Sequence, residues 1–265
     1  MAIHPTAVIE AGAELGKDIT IGAFSYIDHD VRIGDGCVIG PHVTILRYTS
    51  LGKGCQVHAG AVLGDLPQDL AFKDQESYVR IGDNCTIREG VTIHRGTKFG
   101  TVTSVGNDCL LMAFSHLAHN VKVGNKVIIA NGALLAGYVE VGDQAFISGN
   151  CLVHQFARIG RLAMMSGGSA VHKDVPAFCT TRSVSLNKVM GLNVVGMQRA
   201  GFSSEDRLTL KRAFKILYQS NLTLPQAIAS LEENFTSELV LEWCQFIKSS
   251  QRGICTFVNK RQKEI

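Results

Sequence analysis

The sequence predicts a mainly β protein: a parallel β-helix of hexapeptide repeats followed by a C-terminal α-helical domain. Three observations carry this. Aliphatic residues recur at every sixth position from Val105 through Leu111, Leu117 and Val123 to Met165 and Val171. A fixed short period of that kind marks a solenoid whose repeats bury one side chain each. Glycines recur every 18 residues, at Gly16, Gly34 and Gly52 and again at Gly106, Gly124, Gly142 and Gly160. Three hexads therefore make one triangular coil, with glycine at one corner where strain or close approach favours it. Finally, the period stops near Val175-Pro176, and from Ser203 the apolar spacing becomes helical.

Taken in order, the same phase begins at Ile3 and runs through Ile9, Leu15 and Ile21 to Leu63. The next two positions are Asp69 and Gln75. A polar side chain at an inward anchor would be buried without partners, so Leu66 to Ser77 is expected to leave the coil as a loop. A second excursion is expected at Gly96-Thr97-Lys98-Phe99-Gly100, where glycines flank the anchor. About ten coils are expected from Ile3 to Val175, stacked about 4.8 Å apart as parallel strands, each covering the edge of the one below. Arg182 to Met190 reads as a connection. Ser203-Ser204-Glu205-Asp206 suits a helix start. Thr223-Leu224-Pro225-Gln226 reads as a capping box with proline in the first turn. A further helix is expected from Ser237 to about Ser249. Residues 1–190 are assigned to the β-helix and 191–265 to the helical domain.

Composition narrows the function. At 265 residues the chain holds one large domain, alone or with a small one. A formal charge of +3 gives no sign of a nucleic-acid partner, and Lys260-Arg261-Gln262-Lys263 reads as a solvated terminus. No signal peptide opens the chain and no apolar run approaches the roughly 18 residues of a membrane span, so a soluble, cytoplasmic protein is expected. Of eight cysteines, Cys37, Cys55, Cys85, Cys109 and Cys151 fall four residues after an anchor, where other repeats carry alanine or serine. They read as small buried hydrophobes, with no C-x-x-C pair to suggest a metal.

The coil period turns sequence distance into position. His119, Gly137 and Gln155 are spaced by 18 and should stack in one column, with His116 and His154 beside them. An imidazole suits general-base work near neutral pH, and a glycine N–H one coil away can donate to a developing oxyanion. No serine or cysteine nucleophile stands in an obvious position. The set suits direct acyl transfer to a sugar hydroxyl, although a surface histidine on a solenoid often has no role, and both readings stay open here. His4, His29, His42, His58 and His172 are given no role.

Longer motifs go further. His116-Leu117-Ala118-His119, Leu135-Ala136-Gly137, Val153-His154-Gln155-Phe156, Gln68-Asp69-Leu70, Ile87-Arg88-Glu89, Thr92-Ile93-His94-Arg95-Gly96 and Gly201-Phe202-Ser203 occur in that order. In this the chain resembles the UDP-N-acetylglucosamine 3-O-acyltransferases that begin lipid A synthesis, from Ile3 to about Ser203 and with a comparable helical tail. The resemblance implies a left-handed helix, against the usual right-handed crossover, and a homotrimer with active sites in clefts between subunits. It implies a hydroxyacyl donor on acyl carrier protein, a UDP-amino sugar acceptor, and no cofactor or metal. By matching motifs, His119 is the general base and the Gly137 N–H the oxyanion donor. Asp69, His116, His154 and Gln155 line the acceptor site, Asn193 and Arg199 contact nucleotide or phosphate, and Gly167 stands where acyl length is measured. Lys122, Arg158, Arg161 and Lys173 are candidate docking cations for the acidic carrier.

The chain also departs from the family. Tyr138 stands where better-known members have histidine, Asn120 where they have aspartate, and Ala71 where a lysine is frequent. Val195 replaces an acidic residue, Ala200 replaces an arginine, and Arg182 to Lys188 is one residue longer. A paralogue acting on another UDP-sugar, such as a 3-amino analogue, is therefore the first alternative. A metal-dependent hydratase of the γ-carbonic-anhydrase type is more remote: it needs three histidines around one metal, of which His116 and His119 supply only two. A non-catalytic scaffold comes last.

Overall fold

In a computed structural model, residues 1–258 are described; the basic stretch Lys260 to Lys263 lies outside them. The repeats wind as a left-handed parallel β-helix. Each hexad gives a strand of mostly two residues, and the strands fall into three parallel sheets, one per wall of a triangular prism. The first wall runs from Ala2–Ile3 to Cys179–Thr181, the second from Val8–Ile9 to Ala170–Val171, the third from Glu14–Leu15 to Arg158–Ile159.

The anchors fill the prism. From Ile21 to Val171, outside the two excursions, they are buried, and full burial of such a side chain contributes about 1.5–3 kcal/mol. The slot four residues after each anchor also points inward. Besides alanine, serine and cysteine it holds Ile19, Val31, Val43, Val91 and Val121, all fully buried, so it is not restricted to small residues. All eight cysteines are free thiols in buried positions. The five in the repeat slot donate across the coil boundary, as Cys37 Sγ does to the Gly52 carbonyl at 3.1 Å and Cys85 Sγ to that of Gly106 at 3.0 Å. The recurring glycines serve close approach, not an unusual φ. A methyl group on Gly34 would lie 2.6 Å from the Gly52 carbonyl carbon, and one on Gly106 would lie 2.6 Å from the Gly124 oxygen.

The coil is broken twice. No strand lies between Val62–Asp65 and Tyr78–Ile81, or between Thr92–His94 and Val102–Val105. Phe99, on the hexad count, is 73% exposed. Arg95, only 1% exposed, anchors the longer excursion. Its guanidinium donates to Gln75 O at 2.9 Å and Asp74 Oδ1 at 2.7 Å, and lies 5.5 Å from the Tyr48 ring and 5.4 Å from that of Phe72. Arg47 Nη2 reaches the same Asp74 carboxylate at 2.9 Å.

Beyond the last coil, Lys188–Leu192 pairs antiparallel with Cys179–Thr181, and Thr256–Phe257 pairs with Lys188–Leu192. Between these lie α1 (Val194–Arg199), α2 (Ser204–Gln219), α3 (Leu224–Asn234) and α4 (Glu238–Lys248). Ser203 and Asp206 form a capping box at α2, as do Thr223 and Gln226 at α3. Helix α1 has no counterpart in the sequence reading. It is one and a half turns long, too short to show a period.

Candidate active site

One cavity of about 540 Å³ lies on the second wall, against the strands His116–Leu117, Leu134–Leu135 and Leu152–Val153. These strands pair in register, His116 with Leu134 and Leu134 with Leu152. The turns that follow them bring His119, Gly137 and Gln155 to the same corner of successive coils. All three line the cavity together with His116 and His154.

His119 and Gly137 are fitted to one another. A methyl group at Gly137 would lie 2.6 Å from His119 Nε2 and closer still to Cε1, so only glycine admits the imidazole there. The Gly137 N–H donates to no acceptor among the described residues, while its neighbours Ala136 and Tyr138 donate to Val153 O and His119 O. On its other edge, His119 Nδ1 lies 3.1 Å from Asn120 Oδ1.

A cluster of imidazoles continues into the wall. His116 Nδ1 meets Thr92 Oγ1 at 2.7 Å, and its ring stands edge-on to that of His94, centroids 4.9 Å apart. Burial pushes the His116 pKa down to about 4, with the neighbouring His94 and His119 adding to the effect. Burial lowers that of His94 as well. Both are neutral at physiological pH, so the cluster adds no cation beside His119. Outward from the histidines the wall turns apolar, with Leu134, Leu152, Ala170 and Leu186 facing the cavity.

The remaining candidates lie elsewhere. Asp69 does not line the cavity: its carboxylate accepts the Ala71 N–H at 2.9 Å and shapes its own loop, and the adjacent Gln68 reaches the site instead. Asn193 and Arg199 line a separate cavity of about 730 Å³ against Ile128, Phe146 and Met164 of the first wall. The Asn193 side chain caps α1, accepting from Gly196 N at 3.0 Å and donating to Leu162 O at 2.9 Å. Gly167 is exposed in neither cavity, and a methyl group added there would meet only Gly149 O, at 3.8 Å. Gln68 and His172 line the main cavity and were missed in sequence. Gln68 follows a break in the repeat, and His172 looked like any other surface histidine.

Comparison with known proteins gives the same direction over the whole chain. The profile of bacterial transferase hexapeptide repeats matches residues 12–47, 30–65 and 103–137, and that of UDP-N-acetylglucosamine O-acyltransferase domain 2 matches 174–255. A relative from Thermodesulfovibrio yellowstonii, named acyl-(acyl-carrier-protein)–UDP-N-acetylglucosamine O-acyltransferase, is 43% identical over 96% of this chain and 98% of its own. One of the same name from Chlamydia pneumoniae is 44% identical over 99% and 95%. The solved UDP-N-acetylglucosamine acyltransferase of Campylobacter jejuni superposes with a TM-score of 0.91 at 40% identity, covering 97% of this chain and all of that one. This chain belongs to the UDP-N-acetylglucosamine O-acyltransferase family.

Three of the candidate docking cations already have partners within the chain. Arg158 Nε donates to the buried Asp174 at 2.9 Å, and its guanidinium covers the Phe246 ring at 4.4 Å. Arg161 forms a two-pronged pair with Glu242, at 3.0 and 2.7 Å. Both arginines fasten the helices to the last coil. Lys122 pairs with Glu140 at 3.1 Å. Among the described residues, no group of three or more His, Cys, Asp or Glu side chains is placed to hold a metal ion. No helix is long and apolar enough to cross a membrane.

Proposed function

We propose that this protein transfers a 3-hydroxyacyl chain from acyl carrier protein to the 3-hydroxyl of UDP-N-acetylglucosamine, with His119 as general base. The observation that carries the reading is the fit of His119 over Gly137, an imidazole beside an uncommitted backbone N–H. Asn120 Oδ1 can only accept, so the Nδ1 it meets at 3.1 Å carries the proton and Nε2 keeps its lone pair. Nε2 takes the proton of the sugar hydroxyl as its oxygen attacks the thioester carbonyl. The Gly137 N–H donates to the oxyanion that forms. Collapse expels the carrier's thiolate, which recovers the proton from the imidazolium. The apolar run Leu134, Leu152, Ala170 and Leu186 offers the acyl chain a dry bed beside the reacting carbon.

The placement of the remaining residues supports an assembly of several copies. Asn193 and Arg199 stand on the first wall and His119 on the second, so they can serve one acceptor only if a second copy presents its first wall to the histidines. The apolar outward ladder Leu110, Ile128, Phe146 and Met164 of that wall suits such a contact. Such a contact joins two different faces and so closes as a ring, and a homotrimer is the ring we propose. Sedimentation should give the mass of a trimer; a monomer at working concentration would remove this half of the reading.

The chemical half rests on His119→Ala. Assayed with hydroxyacyl carrier protein and UDP-N-acetylglucosamine, the variant should lose at least about 10²-fold in kcat, with folding and assembly intact. Near-normal kcat would refute the assigned base. Offering the 3-amino analogue in the same assay decides between the two acceptors by the mass of the product.

A further inference from the structure

We propose that Thr97 and Tyr138 are positioning residues for this transfer. Through a directed chain of hydrogen bonds they fix the side-chain amide of Asn120, and so hold His119 in its Nδ1–H tautomer. The inference rests on His119 being the base. Its starting point is a weakness of asparagine. A carboxylate offers oxygen whichever way it turns, whereas an amide turned over would present its NH₂ to His119. The imidazole would then carry its proton on Nε2, and the base would be lost. Something must hold the amide.

Thr97 is placed to do so. It enters from the shorter excursion, is 8% exposed, and meets Asn120, itself 6% exposed, through two donors. Its backbone N–H, which can only donate, lies 3.1 Å from Asn120 Oδ1. That contact identifies which end of the amide is oxygen, since NH₂ cannot face a donor; holding it there takes a second donor as well. The Thr97 hydroxyl lies 2.9 Å from the same oxygen and must donate to it. Its lone pairs are then what the Tyr138 hydroxyl meets at 2.9 Å, so tyrosine is the donor there. The order is therefore fixed at every step: Tyr138 to Thr97, Thr97 to Asn120, His119 Nδ1–H to Asn120. By occupying the Thr97 oxygen, Tyr138 keeps the threonine hydrogen turned toward Asn120.

Tyr138 is itself held. It follows Gly137 at a corner with φ of 61°, stands edge-on to the His119 ring at 5.3 Å, and stacks on Phe156 at 4.9 Å. It lines a different cavity from His119, of about 310 Å³ on the third wall. Its part in the reaction is thus to orient the base.

The test combines kinetics with ¹⁵N NMR of histidine-labelled enzyme. There are nine histidines, and the His119 signals are those absent from His119→Ala. The unaltered enzyme should show neutral His119 with a protonated Nδ1 and a bare Nε2. Thr97→Val should shift it toward the Nε2–H form and lower kcat about 10-fold or more, inside the ~10²–10⁴-fold that a positioned base supplies, with KM unchanged. Thr97→Ser should restore both. Tyr138→Phe removes one hydroxyl at a corner where the next coil already carries Phe156. It should act in the same direction by about 5-fold, the kinetic weight of one net hydrogen bond. An unchanged tautomer in both variants, a loss that serine does not rescue, or a KM that moves with kcat would overturn the proposal. Full activity in His119→Ala would instead overturn the base itself. A damaged His119→Ala beside untouched Thr97→Val and Tyr138→Phe would leave the base and remove the chain behind it.

Discussion

The stretch from Val105 to Val171 and the stretch from Asp65 to Thr101 belong to the same solenoid but do opposite work. In the first, successive coils pair at intervals of 18 residues as far as the strand Ala170–Val171, and His119, Gly137 and Gln155 take their places by that repetition alone. In the second, two segments leave the coil, and from them come Gln68 at the cavity and Thr97 behind Asn120. Regular coils set the spacing between the proposed reacting groups; the departures bring Gln68 and Thr97 up to them. A repeat can place side chains only at its own intervals, so a contact between those intervals needs chain that has left the ladder.

Four measurements test that division. The largest effect should come from the regular stretch. Gly137→Ala puts a methyl group 2.6 Å from His119 Nε2, so the ring must move, and kcat should fall about 10²-fold with KM little changed. Unaltered kcat would mean that the fit is incidental. Next comes the excursion. Arg95→Ala removes the buried clamp on Asp74 and Gln75. Because Gln68 rides on the same loop, KM for the UDP-sugar should rise about 10-fold, the weight of roughly 1.4 kcal/mol, while kcat changes less. Proteolysis within Leu66–Ser77 should quicken in parallel. An unchanged KM would detach that loop from the acceptor.

Smaller effects should follow at the edges of the comparison. Gly167→Met adds a long side chain where a methyl group would meet only Gly149 O at 3.8 Å; if Gly167 measures acyl length, preference should move several-fold toward shorter acyl chains. Identical preference would remove Gly167 from that role. The last effect concerns pH. His116 and His94 are held neutral by burial, with pKa values below the ordinary imidazole value and that of His116 near 4. Unfolding lets both take up protons. Their contribution is present above about pH 6.5 and is lost as pH falls from there toward 4. The unfolding temperature should drop across that window, and His116→Gln should shallow the drop. A slope unchanged in the variant would contradict its burial as the cause.

What was legible in the sequence followed the same boundary. The fold could be read because each coil must bury an aliphatic anchor, and Ile21 or Leu135 announces itself by phase. The column at His119 could be read because nothing interrupts the count between Val105 and Val171. Arg95, Gln68 and Thr97 could not be placed, since they sit where counting by six fails. Asp69 was chosen by motif, yet its carboxylate holds its own loop and its neighbour Gln68 reaches the cavity. Asn193 was read as a contact for nucleotide, and its amide also caps a helix too short to be seen in advance. The partners of Arg158 and Arg161 on the last helix, Phe246 and Glu242, could not be read, because they become neighbours only after the helices fold back.

The two interruptions also preserve a trace of how such a chain grows. Val57 pairs with Ile87, thirty residues on, and Ile87 with Leu111, twenty-four on, whereas neighbouring rungs such as Ile39 and Val57 are eighteen apart. The surplus is two hexads and then one, and the three anchors it contains are Asp69, Gln75 and Phe99, none of which is in the buried core. An insertion of arbitrary length would have left the later anchors out of step with the earlier ones; these keep step. Surplus hexads, once relieved of filling the prism, are free to exchange aliphatic anchors for polar ones. In this molecule the loop that brings Gln68 to the cavity occupies the length of two hexads that do not fill the prism.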